Sequence, residues 1–325
     1  MTEAPESVRD EILQEVAKGL CVPEGVQKTL PPWLFYDAAG SALFEQITGL
    51  PEYYLTRTEH QILEQNADAI LKGVGSPVTI AELGSGTAAK TGLLLAAATR
   101  RQGDVLYQPI DVSMSSLDEA TASMSEIGGV KVQPQLSNYI TNGYKIFRPK
   151  DHYILALYIG SSIGNFGPQE ARNILRKLRQ RLSSEPGDGL LLGVDLAPCI
   201  TKTVDLLLAA YDDAAGVTAA FNKNILARLN RELGADFNLD AFTHRARWNE
   251  NEGRMEMHLE SKGEQTVHIG DQPVRFLDAE TIHTENSYKF TERGVRELLH
   301  DSGFSSPQWF EDPKHHFGVA LAYPV

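Results

Sequence analysis

The stretch VTIAELGSG (78–86), running into TAAKTGLLLAAATRR (87–101), decides the fold. With Val78, Ile80, Ala81 and Leu83 among its six residues, 78–83 reads as a strand, which Gly84 and Gly86 end in a turn, and a helical segment follows. Glycine lets the backbone turn sharply and approach a ligand closely. The helix start behind it offers N–H groups with no partner inside the helix. The stretch Gly84-Ser85-Gly86-Thr87-Ala88-Ala89 matches the dinucleotide fingerprint GxGxxA, which alone does not choose among nucleoside ligands.

Working outward, the same alternation repeats. DVLYQPIDVS (104–113) predicts a second strand and SSLDEATASMSEI (115–127) a second helix, and VKVQPQL (130–136) is a weaker third strand. HYILALYIG (152–160) is an apolar run typical of a strand buried on both faces, and GLLLGVDL (189–196) reads as another buried strand. Between them PQEARNILRKLRQRLS (168–183) has the 3.6-residue apolar period of an amphipathic helix. Strands alternating with helices predict βαβ units and a largely parallel sheet. The alternation then stops: 204–234 reads as mostly helical, 245–278 as strands joined by polar turns, 292–303 as a helix, and 304–325 as a strand pair. Upstream, Val8, Ile12, Val16 and Leu20 mark a helix over 5–20, and 30–71 is rich in aromatics and broken by Pro31, Pro32 and Pro51. The expected fold is therefore α/β, a largely parallel sheet at 61–196 with 287–325, plus a second α+β domain from 1–60 with 197–286.

Composition narrows the partners. The 325 residues carry a net charge of −13, with 42% hydrophobic and 22% charged residues, as an ordinary globular protein does. So acidic a surface repels phosphate backbones and anionic membranes, so neither nucleic acid nor a membrane is an expected partner. Cys21 and Cys199 form neither a CxxC pair nor a zinc spacing, and no HExxH pair occurs among the nine histidines, so no metal is expected. His315 and His316 read as solvated loop residues. Two free thiols suit a reducing compartment. The opening MTEAPESVRDEILQEVAKG lacks the basic start and apolar core of a signal peptide, and no apolar run approaches the roughly 18 residues of a membrane span. The expectation is a cytoplasmic monomer acting on a small molecule.

Two acids sharpen the ligand. Glu82, two residues before Gly84, suits the electropositive sulfonium side of S-adenosylmethionine and would repel a pyrophosphate. Asp111, ending the second strand, can accept from both ribose hydroxyls. Lys90, one turn into the expected helix, can meet a methionine carboxylate. Asn138 and Tyr139 follow the third strand, where Asn138 can bond an exocyclic amine and Tyr139 can pack on an adenine ring.

Five segments together resemble the S-adenosylmethionine-dependent, histidine-specific α-N-methyltransferases of ergothioneine biosynthesis. They are LPPWLFYDAAGSALFEQITGLPEYYLTRTE (30–59), AELGSGTAAKT (81–91), IGSSIGNF (159–166), AYDDAAGVTAAFNKNILARLNRELGADF (210–237) and TENSYKF (284–290). The resemblance spans nearly the whole chain and implies a class I methyltransferase, Rossmann-like sheet with a second, substrate-binding domain. It implies three methyl transfers to the α-amino group of L-histidine, giving hercynine. Glu82, Gly84, Ser85, Gly86, Lys90, Asp111, Asn138 and Tyr139 would then form the cofactor site. The family usually has Asp where this chain has Asn138, and an Asn carbonyl still accepts from an amine. Asn165 would hold the substrate amine and Tyr211 its carboxylate, with Tyr36, Phe44, Tyr53, Gly160 and Ser162 in the same set. Glu285 and Ser287 would receive the imidazole, with Met257 nearby, and Tyr36 would relay a proton through water.

Glu285 can pair with an imidazole N–H and Ser287 can serve the other nitrogen. Three rival readings remain: α-N-methylation of another amino acid such as tryptophan, an NAD-dependent oxidoreductase on the same glycine turn, and a catalytically dead nucleoside-binding protein. The tryptophan reading needs room for an indole and no carboxylate. The oxidoreductase fits Glu82 poorly. The inactive protein would have no use for the tyrosines, Asn165 and Glu285.

Overall fold

The computed structural model describes residues 6–86, 88–140 and 143–325. The chain divides into two units, one comprising the described residues up to Tyr53 with Val204–Ser287, the other Tyr54–Thr203 with Tyr288–Val325. The divisions fall at 53/54, 203/204 and 287/288, where the sequence reading has 60/61, 196/197 and 286/287. The expected helix over 5–20 runs Glu6–Leu20 with Ile12, Val16 and Leu20 buried, while Pro5 and the Val8 side chain lie outside the described residues.

The second unit is built on an eight-stranded sheet. Its main path, in spatial order, is Val130–Val132, Val105–Asp111, Val78–Leu83, Tyr153–Tyr158, Gly189–Asp195, Phe317–Ala322 and Gln308–Glu311. Counted along the chain this is the order 3-2-1-4-5-7-6. The first five strands are parallel, and Phe317–Ala322 enters antiparallel against Gly189–Asp195. The weak third strand is in fact split: Gln135–Leu136 pairs separately with Val105–Asp111. Pro134 interrupts it, since proline has no N–H to give the ladder.

The apolar strands read from sequence are buried along their length, Val78–Leu83 and Gly189–Asp195 at every residue. The helix Pro168–Arg179 starts with proline at its first position and lays Ala171, Ile174, Leu175 and Leu178 on the sheet core. The chain reverses its march across the sheet between the first and fourth strands. In such folds the crevice at the carboxyl ends of those strands takes the ligand.

One polar cluster lies within this unit's interior. Asp195 accepts from the Tyr54 hydroxyl at 2.9 and 3.0 Å and from the Lys289 ammonium at 2.7 Å, and it pairs with Lys202. The Asp195, Lys202 and Lys289 side chains are all 0% exposed. Tyr54, Lys202 and Lys289 stand within two residues of the three chain crossings, so one carboxylate anchors all three. Burial alone raises a carboxyl, but Lys202 and Lys289 outweigh it and hold Asp195 below its ordinary range, while burial pulls the Lys202 ammonium down to about 8. His316, expected in solvent, is buried here: its ring packs edge-on to Tyr54 at 5.4 Å and its Nε2 lies 2.8 Å from the Thr201 carbonyl. His315 is exposed.

In the first unit, the strands Lys28–Thr29, Thr281–Tyr288, Arg254–Ser261 and Phe242–Asn249 form a four-stranded sheet, with a separate hairpin of Gln265–Ile269 and Gln272–Phe276. The helix Val217–Leu233 buries Phe221, Ile225, Leu226 and Leu229, and packs on that sheet and on the helix Ala38–Thr48. Asp37 caps the latter by accepting from the Gly40 N–H at 2.7 Å, and Asn224 donates to the same oxygen at 2.8 Å.

Candidate active site

In the second unit, the predicted cofactor residues collect at the carboxyl ends of the parallel strands. Gly84 and Gly86 have φ of +66° and +50°, the left-handed region glycine adopts without strain. A Cβ on Gly84 would also lie 3.4 Å from the Tyr139 hydroxyl. The Gly86 N–H donates to Asp111 at 3.0 Å and the Ser113 N–H donates to it at 2.9 Å. Two backbone donors thus fix the Asp111 carboxylate, which keeps lone pairs for a ligand's hydroxyls. Burial still pushes this carboxyl upward. Ser85 is buried and its hydroxyl has no hydrogen-bond partner. Tyr139 lies edge-on to Tyr158 at 5.7 Å, and the Asn138 side chain accepts from the Ile140 N–H at 3.0 Å.

Two residues differ from the sequence reading. The helix after the glycine turn is Thr91–Gln102, so Lys90 is its N-cap and not one turn inside it. Ala88 has φ +58°, which keeps the loop open beyond Gly86. Lys90 pairs there with Glu59, a residue the sequence reading passes over. Glu82 points into the fold: it is 2% exposed, accepts from Thr91 at 2.9 and 2.8 Å, and takes the Tyr107 hydroxyl as well. Burial pushes its carboxyl up to about 7 against those hydrogen bonds. In the fourth-strand loop, Gly160 has φ +77°, Ser162 donates to the Ile159 carbonyl at 3.3 Å, and half-buried Asn165 ends the short helix Ser162–Asn165.

The first unit gathers the other predicted set. Tyr36, Phe44, Tyr53 and Tyr211 form a chain of edge-on rings with centroids 6.0, 6.3 and 6.4 Å apart, and Phe221 backs Tyr36 and Phe44. Tyr211 donates to the Ser287 hydroxyl at 2.8 Å. Glu285 and Ser287 lie two residues apart on the strand Thr281–Tyr288 and both are buried, Glu285 at 9% exposure. Met257 is buried on the strand Arg254–Ser261.

Glu256, His258 and His283, close to this set in sequence, bring ligand-type atoms within 4.8 Å of one another. Arg254 already forks the Glu256 carboxylate, Asn249 donates to it, and His258 Nε2 lies 3.0 Å from it, so the group is an ion-pair cluster in place of an open ligand set. Burial, with His283 and Arg247 alongside, pulls the His258 ring down to about 4 despite Glu256. Its folded value lies below its free one, so the unfolded chain takes up the proton first. The contribution is whole above about pH 6.5 and is lost as pH falls toward 4, with a slope near 1.4 kcal/mol per pH unit. Glu82, raised to about 7, acts in the opposite sense over this range, so the test is a difference between proteins: the stability that His258→Gln costs at pH 7, read from urea midpoints, should shrink as pH falls from 6.5 to 4.5. A cost that does not change with pH contradicts the assignment.

The 3-2-1-4-5-7-6 sheet, with a glycine turn after its first strand and an acid ending its second, defines a class I methyltransferase fold. The profile of the family described as histidine-specific methyltransferase, SAM-dependent, matches residues 12–324, and the chain belongs to that family. Its methyl donor is S-adenosylmethionine. It is 42% identical to the histidine N-alpha-methyltransferase of Mycolicibacterium smegmatis over 98% of this chain and 97% of that one. It is 42% identical to the protein of the same name from Mycobacterium tuberculosis over 93% of each. It is 30% identical to ergothioneine biosynthesis protein 1 of Schizosaccharomyces pombe over 89% of this chain and 39% of that protein. Among the described residues no helix is long and apolar enough to cross a membrane.

Proposed function

We propose that the protein transfers three methyl groups from S-adenosylmethionine to the α-amino group of L-histidine, giving hercynine for ergothioneine biosynthesis, as a monomer in the cytoplasm. The carrying observation is the buried polar set of the first unit. An aromatic-walled set that holds Tyr211, Ser287 and Glu285 buried suits a substrate able to bond to them, and an indole or phenyl side chain would bring an apolar ring against the buried Glu285 carboxylate. The orphaned Ser85 hydroxyl and the backbone-fixed Asp111 fit a nucleoside in the second unit.

In this reading Asp111 takes the ribose hydroxyls, Asn138 and Tyr139 hold the adenine, and Lys90 receives the amino-acid carboxylate. Gly84, Ser85 and Gly86 bring the backbone close, and Glu82 supports their turn from behind. S-adenosylmethionine supplies a methyl already activated on a sulfonium, open to in-line displacement by a neutral amine. The protein's part is to orient that amine. Asn165 holds it, with Gly160 and Ser162 shaping the loop, and Tyr211 takes the substrate carboxylate beside Tyr36, Phe44 and Tyr53. Glu285 and Ser287 bind the imidazole, and Met257 limits the pocket. Tyr36 relays the ammonium proton to water, and a single Asn165 contact lets the nitrogen turn after each transfer.

The test is mass spectrometry of an amino-acid panel incubated with the protein and S-adenosylmethionine. Histidine should become its trimethylated betaine, while histamine, which has no carboxylate for Tyr211, should react poorly. Preferential methylation of tryptophan, or none of any amino acid, contradicts the reading.

A further inference from the structure

Glu59 has no role in the reaction as derived so far, yet three chain segments are shaped around it. It lies on the helix Tyr54–Lys72, in the buried stripe that includes Leu55, Ile62 and Leu63, and its side chain is 0% exposed. The Gly160 N–H donates to its two oxygens at 2.9 and 3.0 Å, and Lys90 pairs with Oε2. Gly193 leaves it room, since a Cβ there would come within 2.0 Å of Oε1. Lys90 follows the first strand's glycine turn and Gly160 ends the loop entry of the fourth strand, so Glu59 ties together the two loops that flank the switch point.

We propose that Glu59 is the positioning residue of the cofactor's amino-acid subsite: braced on Gly160, it fixes the Lys90 ammonium for the carboxylate of S-adenosylmethionine. This rests on the proposed contact between Lys90 and the methionine carboxylate. A lysine ammonium has three donors on a flexible stem, and one donor spent on Glu59 holds the stem while two stay available for a carboxylate. The Glu59 side chain, 0% exposed, acts by holding the Lys90 ammonium and the Gly160 N–H in place. A ligand with an amino-acid carboxylate meets that fixed ammonium, and one without it gains nothing from the pair.

The experiment compares calorimetric binding of S-adenosylhomocysteine with that of 5′-methylthioadenosine, which lacks the amino-acid end. Glu59→Gln should weaken S-adenosylhomocysteine by about tenfold, the scale of one charge-assisted hydrogen bond. It should leave methylthioadenosine unchanged, and should raise KM for S-adenosylmethionine without moving KM for histidine. Glu59→Asp, which keeps the charge, should recover part of the loss, and Lys90→Met should reproduce it. Equal weakening of both ligands marks a merely structural residue and overturns the proposal, as does unchanged or tighter S-adenosylhomocysteine binding. If Glu59→Gln does not fold, Lys90→Met and Glu59→Asp decide by the same ligand pair. Failure of the unaltered protein to bind S-adenosylhomocysteine would instead sink the cofactor reading itself.

Discussion

Asp195→Asn is expected to cost the protein about 3–5 kcal/mol of stability, the range for breaking a buried ion pair by removing one partner. The amide keeps the side chain's shape and can still accept from the Tyr54 hydroxyl, so the loss isolates the charge. Lys202 and Lys289 would both lose the Asp195 carboxylate in an interior where their side chains are 0% exposed. Lys202 retains the Leu196 and His316 carbonyls, which satisfy its protons without neutralising it. Urea unfolding followed by fluorescence measures the loss. Adding Lys202→Met to Asp195→Asn should restore part of it, because one uncompensated ammonium is then gone. A loss under about 1 kcal/mol, within the range of a surface pair, would contradict a buried hub.

That hub marks a limit of sequence reading. Tyr54, Asp195, Lys202 and Lys289 share no periodicity, and two of them sit in stretches read only as apolar strand or loop. They meet only in the folded chain, brought together from segments far apart in sequence. By contrast, the sheet was legible because strands buried on both faces are mostly apolar, and 78–83, 153–158 and 189–195 are, with Glu82 and Asp195 as the charged exceptions. Gly84 and Gly86 were legible because a turn of positive φ before a helix admits few residue types, and Asp111 because an acid ending the second strand stands where such folds meet a ribose.

The start of that helix was misplaced for a local reason: Ala88 holds a left-handed conformation that alanine's composition gives no hint of. Glu59 left a faint signal, a carboxylate inside the apolar stripe of an otherwise amphipathic helix. His316 left none, since its burial comes from Tyr54 and Thr201, both remote in sequence. The first unit's site is a different case. Tyr36, Tyr53, Tyr211, Glu285 and Ser287 are ordinary residues one at a time, and it was the resemblance that grouped them. The structure adds the ring chain and the Tyr211–Ser287 bond.

Replacing Glu285 should have the largest effect on substrate choice. It is a buried carboxylate two residues from Ser287 on one strand, and in the proposed reaction it is the partner of the imidazole N–H. Glu285→Ala leaves that N–H unpaired, a loss of about 1.5–3 kcal/mol for a bond to a charged group, or roughly ten- to hundredfold in kcat/KM for histidine. Tryptophan has no such bond to lose, and its ring no longer faces a buried charge. Met257→Val added to Glu285→Ala enlarges the pocket and should favour tryptophan further. The decisive measurement is therefore the ratio of kcat/KM for histidine to that for tryptophan, in the unaltered protein and in Glu285→Ala. The account predicts a ratio strongly in favour of histidine that falls at least tenfold on substitution. A ratio left unchanged would show that Glu285 does not read the imidazole, and would contradict the assignment of histidine recognition to this site.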